Sequence, residues 1–176
     1  VEDISARLAT FPKAPGDKIG EYPLDANDSM ALHLRLANGA LGTVGATRFA
    51  SGHLNDLRLR IYGTKAGIEW EQENPNYLWV TPLGAPRYRL SRGGAGTGDA
   101  AARVTRVPAG HPEGYLEGFA NIYAEAARAI IARRDGVAMD AAVSFPGLKE
   151  GLQGVAFVDA CVRSSGKNGA WTKLAL

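Results

Sequence analysis

Cysteine is almost absent: Cys161 is the only one in 176 residues. That excludes an intramolecular disulfide framework and a zinc site built on cysteine. An excess of one charge is missing too. Lys and Arg number 20 against 18 Asp and Glu, a formal net charge of +2. Such balance argues against a nucleic-acid or polyanion binder, whose surface needs a basic excess. No run of about 18 apolar residues exists, so no membrane span is expected. The three histidines, His33, His53 and His111, form no i, i+4 pair, and no metal site is expected. No G-x-S-x-G hydrolase elbow occurs. The opening Val1-Glu2-Asp3-Ile4 is neither basic nor followed by an apolar run. It does not read as a signal peptide, and a cytoplasmic location is expected.

What is present is ample apolar material, 45% of the chain, mixed with 22% charged residues. That composition buries a core and argues against disorder. The length fits one domain over residues 1–176. The first two-thirds alternate with period two, as half-buried strands do. Ile4, Ala6 and Leu8 lie on one face of the first strand, and Met30, Leu32, Leu34 and Leu36 on one face of the second, beyond a loop at 12–27. Asn38-Gly39 signals a two-residue hairpin with positive φ. A strand with Leu57, Leu59 and Ile61 on one face turns through Gly63–Gly67 into Ile68–Glu71. Strands near 77–81 and 87–90 continue the meander. After Pro112 the period changes. Tyr115, Phe119, Ile122, Ala126 and Ile130 predict an amphipathic helix over 114–134, ended by Asp135-Gly136. A second helix is predicted over 147–165 with Leu148, Leu152, Val155 and Val162 on its buried side, then a last strand near 170–174. The expected class is α+β: a large, mostly antiparallel, open-faced sheet with helices packed on one face.

Several motifs carry less chemistry than they suggest. Gly96-Thr97-Gly98-Asp99-Ala100-Ala101 fits G-x-G-x-x-A. A dinucleotide fingerprint also needs a preceding strand and a long following helix. Val104–Val107 reads as extended and Pro108 follows, so this segment is expected to be a surface loop that binds no cofactor. Glu69, Glu71 and Glu73 alternate along one strand face, opposite Ile68 and Trp70, which suits a solvated or interfacial face. Two polar segments are denser in detail: Ser51-Gly52-His53-Leu54-Asn55-Asp56 between two strands, and Gly110-His111-Pro112-Glu113-Gly114-Tyr115 before the first long helix. His111 sits near a helix start, where backbone N–H groups favour oxygen-rich partners.

The order of motifs then resembles a known family. Asn38-Gly39-Ala40-Leu41-Gly42 is followed by Leu57-Arg58-Leu59-Arg60-Ile61-Tyr62-Gly63-Thr64-Lys65-Ala66-Gly67-Ile68-Glu69-Trp70. Gly110–Tyr115, Phe119–Tyr123, Asp159–Val162, Ser164-Ser165 and Gly169-Ala170-Trp171 come next. This resembles the C-terminal domain of the glucose-fructose oxidoreductase / inositol dehydrogenase / MocA family, from Asp3 to Leu174. The resemblance implies a dehydrogenase in which an N-terminal Rossmann domain, absent from this chain, binds NAD or NADP. It also implies that the open sheet face, here with His33, Arg35, Arg58, Arg60, Glu69 and Glu71, makes homo-dimers or homo-tetramers. The family's catalytic lysine and histidine lie upstream, so no catalytic residue is expected here. The substrate wall is expected at His53, Asn55, His111, Glu113 and Tyr115, hydrogen-bonding a sugar, cyclitol or related polyol. The rival readings are a non-enzymatic homo-oligomerisation module and a free-standing carbohydrate-binding domain.

Overall fold

The computed structural model describes residues 1–175, and these divide into two compact units. One comprises Val1–Gly52 and the segment from Pro146 onward; the other is His53–Phe145.

The first unit carries an antiparallel sheet. Its strands are β1 (Asp3–Ala9), β4 (Ser29–Arg35), β5 (Leu41–Thr47) and β10 (Thr172–Lys173), in the order β10-β1-β4-β5. The period-two pattern sets the register: Ile4 faces Leu34, Ala6 faces Leu32 and Leu8 faces Met30. Helix α3 (Leu148–Gly166) covers that face, and Ile4, Ala6, Leu32, Ala160 and Cys161 form the buried core. Met30, Leu34, Phe157 and Leu174 pack around it.

β10 pairs β1 only at Asp3 and Ile4. Beyond that point the end of α3 substitutes for a strand. The Ala6 amide donates to Ser164 Oγ at 2.9 Å, and the Leu8 amide to Ser165 Oγ at 3.0 Å. Ser5 Oγ donates to the Gly169 carbonyl at 2.6 Å. Gly169 has φ +80°, a left-handed conformation that favours glycine, and a Cβ there would crowd the Arg7 side chain at 3.2 Å.

The loop at 12–27 holds a two-stranded ribbon, β2 (Lys18–Ile19) with β3 (Tyr22–Pro23). Buried Asp28 ties the loop down, accepting from the Phe11 amide at 2.9 Å and Lys13 Nζ at 2.6 Å. The hairpin at Asn38-Gly39 differs from the two-residue form. Only Gly39 takes positive φ, and Leu36 bonds Ala40, giving a three-residue loop with glycine in the left-handed position.

The second unit holds a four-stranded antiparallel meander: β6 (Arg58–Tyr62), β7 (Ala66–Glu71), β8 (Tyr77–Pro82) and β9 (Tyr88–Ser91). Helices α1 (Asp99–Val104) and α2 (Tyr115–Asp135) follow. α1 was not expected. Ala100–Ala102 favour helix, and Asp99 suits its first turn. α2 ends as the sequence indicated, at Gly136 in the left-handed conformation. Antiparallel strands followed by helices are the expected α+β class; the ladders form two four-stranded sheets and a ribbon.

The buried sides of the helices are a correction. Leu148, Leu152, Val155 and Val162 of α3 are exposed, and Ala160, Cys161 and Ser164 are buried instead. Small side chains let this helix approach β1 closely. In α2, Tyr115, Phe119, Ile122 and Ile130 are exposed, whereas Glu125 and Ala132 are buried. Glu125 tolerates burial because Arg103 Nη2 lies 2.8 Å away, Arg128 is paired with it, and the Ser144 amide donates at 3.0 Å.

Candidate functional site

The polar residues of the second unit gather at the end of the meander where β7 turns into β8. Loop 53–56 enters β6 beside that turn. Asn55 Nδ2 donates to Gln72 Oε1 at 3.1 Å, and the Asp56 amide to Glu73 Oε1 at 3.4 Å. Glu73 thus leaves the strand face it was expected to share with Glu69 and Glu71, because β7 ends at Glu71. Segment 111–115 abuts the same turn. Asn76 Nδ2 donates to the Glu113 carbonyl at 3.1 Å, and Asn76 Oδ1 accepts from the Glu113 amide at the same distance. Asn55 and Glu113 are therefore bonded directly to the stretch Gln72–Asn76, His53 reaches it through Asp56 and the His111 carbonyl through Arg92, and Tyr115 follows two residues after Glu113.

Their roles within that cluster differ. His53 is exposed; its Nδ1 pairs with the Asp56 carboxylate, whose other oxygen accepts from Arg58 Nε at 2.6 Å. The Arg58 guanidinium holds the Asp56 carboxyl below its ordinary range, and the bond from His53 adds to this. Glu113 is buried. One oxygen accepts the Arg106 amide, and the other lies 2.7 Å from Arg92 Nη1. Arg92 also donates to Asn76 Oδ1 at 2.9 Å, to the Val107 carbonyl at 2.8 Å and to the His111 carbonyl. Its guanidinium is the hub that shapes the segment before α2. Glu117 caps α2 by accepting the Gly114 amide at 2.8 Å, and this bond lowers its pKa. These anchors leave the His111 ring and Tyr115 exposed, with Tyr115 edge-on to Phe119.

Sequence reasoning passed over Arg92, Asn76 and Asp56. For Asp56 a signal existed: a carboxylate three residues after a histidine in a turn. For Arg92, fifteen or more residues from each of its partners, none did. His33 belongs to β4 of the other unit, paired across with Ser5 and Thr43.

The glycine segment does not fit a dinucleotide. Gly98 caps α1, but that helix has only six residues, Asp99 in its first turn opposes phosphate, and β9 before it is an antiparallel edge strand. Gly93 and Gly96 take positive φ, +66° and +88°, and a Cβ at Gly96 would lie 3.1 Å from Leu90 Cδ2, so they serve the turn's conformation and packing. Among the described residues no three His, Cys, Asp or Glu side chains group for a metal, and no helix is long and apolar enough to cross a membrane. An open concavity of about 600 Å³ lies at the opposite end of the meander, between Tyr62, Glu69 and the turn Pro82–Pro86. It offers few polar groups, so the β7–β8 end is the better candidate for a polar ligand.

Residues 4–174 match the family described as "Oxidoreductase family, C-terminal alpha/beta domain". The chain belongs to this family, that of glucose-fructose oxidoreductase, inositol dehydrogenase and MocA. It is 35% identical over 153 residues to the uncharacterized oxidoreductase YfiI of Bacillus subtilis, covering 86% of this chain and 38% of that protein. The crystal structure of an oxidoreductase from Sinorhizobium meliloti is 49% identical with a TM-score of 0.83, over 98% of this chain and 46% of that one. An inositol dehydrogenase homolog from Azotobacter vinelandii, complexed with NADH and myo-inositol, is 29% identical with a TM-score of 0.84, over 98% and 44%. The chain thus spans less than half the length of these relatives.

Proposed function

We propose that this chain is the C-terminal substrate-binding and assembly domain of an NAD(P)-dependent oxidoreductase acting on a sugar, cyclitol or related polyol. The observation that carries the reading is that loop 53–56, through Asn55 and Asp56, and segment 111–115, through Glu113, are both hydrogen-bonded to the stretch Gln72–Asn76, in a chain similar to a protein complexed with myo-inositol. Each hydroxyl of a bound polyol needs a hydrogen-bond partner, and these side chains offer donors and acceptors. Glu113 serves from behind, holding Arg92 and the segment that presents His111.

A nicotinamide cofactor would accept or supply hydride and would be held by a domain outside these residues. The chain's own contribution is to bind and orient hydroxyls. By itself it neither turns over nor binds NAD(H) tightly.

The open face of the meander suits a homo-oligomer. Arg58 and Arg60 on β6, Glu69 and Glu71 on β7, and Tyr77 and Trp79 on β8 stand in cross-strand rows. Arg87 and Arg89 lie over Trp79 and Tyr77 at 4.2 and 3.9 Å.

Steady-state kinetics of the full-length protein on a panel of cyclitols and sugars test the reading. His111→Ala is expected to raise KM about tenfold, the worth of one good hydrogen bond. Unchanged kcat/KM in His53→Ala, His111→Ala and Tyr115→Phe would instead favour a pure assembly module.

A further inference from the structure

We infer that Asp56 is a positioning residue that holds His53 with its proton on Nδ1, so that Nε2 faces outward as the acceptor for a hydroxyl of the bound polyol. The inference rests on the reading above that loop 53–56 lines the substrate pocket.

The chemistry follows from what each atom can do. An ionised carboxylate only accepts, so the Nδ1 paired with Asp56 must carry hydrogen. In the neutral imidazole Nε2 is then bare and can only accept. Among the described residues Nε2 has no hydrogen-bond partner, and the His53 side chain is 55% exposed while that of Asp56 is 20% exposed. The carboxylate is set back and the imidazole stands out. Asp56 is itself held from two sides: Arg58 Nε donates at 2.6 Å, and its own amide donates to Glu73 Oε1 at 3.4 Å. Its φ of +48° is rare for a residue with a side chain and persists where surroundings impose it. From that position the carboxylate meets both Arg58 and the imidazole three residues earlier.

The arrangement exceeds what fastening a loop requires. Arg58 alone would anchor Asp56, and an exposed histidine pair adds little to stability. Fixing which ring nitrogen carries the proton is what a carboxylate partner does for a histidine that must present one defined polarity.

Long-range ¹H–¹⁵N correlation spectra of the labelled chain, recorded above the imidazole titration range, read the tautomer directly. Wild-type His53 is expected to show a protonated Nδ1 and a bare Nε2, and Asp56→Ala to transfer the proton to Nε2. A wild-type His53 protonated at Nε2 overturns the inference. Kinetics on the full-length enzyme form the second arm. His53→Ala and Asp56→Ala are each expected to raise KM for the polyol about tenfold, with kcat moving less and the double variant going no further. An unchanged KM in Asp56→Ala beside a raised one in His53→Ala also overturns it. An unchanged KM in His53→Ala removes the pocket reading of this loop and the acceptor role with it, whatever the tautomer. Asp56→Asn keeps the side chain's size; should Asp56→Ala not fold, it is expected to raise KM in the same direction by less, and no rise refutes the assignment.

Discussion

The hydroxyl of Ser164 near the end of α3 accepts the amide of Ala6 in the middle of β1 at 2.9 Å. The same oxygen donates to the Ala170 carbonyl at 2.7 Å. One fully buried side chain thus replaces a missing strand on that edge of the sheet.

Ser164→Ala strands the Ala6 amide and leaves the Ala170 carbonyl only the Thr172 hydroxyl. The expected loss is about 1–3 kcal/mol, the cost of leaving a buried backbone group without a partner. Urea unfolding of the chain measures it, and Ser165→Ala, at a less buried site, is expected to cost less.

Arg92 and Glu113 form a largely buried ion pair in the meander unit, 2.7 Å apart. Arg92→Met leaves the Glu113 carboxylate without its counter-charge and is expected to destabilise by about 3 kcal/mol. Adding Glu113→Gln recovers part of that loss. A double-mutant cycle in urea reads the coupling; additive effects would show that the pair is not coupled.

Acid sensitivity is expected at Glu125. The hydrogen bond from Arg103 holds its carboxyl below the ordinary range, and the Ser144 amide and Arg128 add to this. A depressed carboxyl binds fewer protons folded than unfolded. Its stabilisation is therefore complete above the unfolded value, near about 4.3, and is lost as pH falls through the folded value. The urea midpoint of wild type should fall on acidification through that window. Glu125→Gln should start lower and show a flatter acid limb.

Burial pushes the Cys161 thiol up. A thiol-reactive disulfide reagent at neutral pH is expected to label it only as fast as the first unit opens. Labelling should accelerate in Ser164→Ala, which loosens the helix end beside it.

The strands were legible because a half-buried strand writes its register into alternate residues. Ile4, Ala6, Leu32 and Leu34 occupy the face that their spacing indicated. Helix extents were legible from the change of period and from Gly136. Helix orientation was not. Val155 and Leu152 carry the stronger apolar signal, yet Ala160 and Ser164 meet β1, because close approach favours small side chains. The six-residue α1 escaped notice because so short a helix has no period to read.

The sequence alone thus determined the antiparallel class, the helix limits and the family membership, since patterning and motif order are properties of the chain as written. Only the tertiary structure decided that Arg92 ties Asn76, Val107 and Glu113 together, and that Asn55 and Asp56 reach Gln72 and Glu73. Those groups meet through ladder register and turn geometry, which act between residues far apart in the chain and leave no local signature.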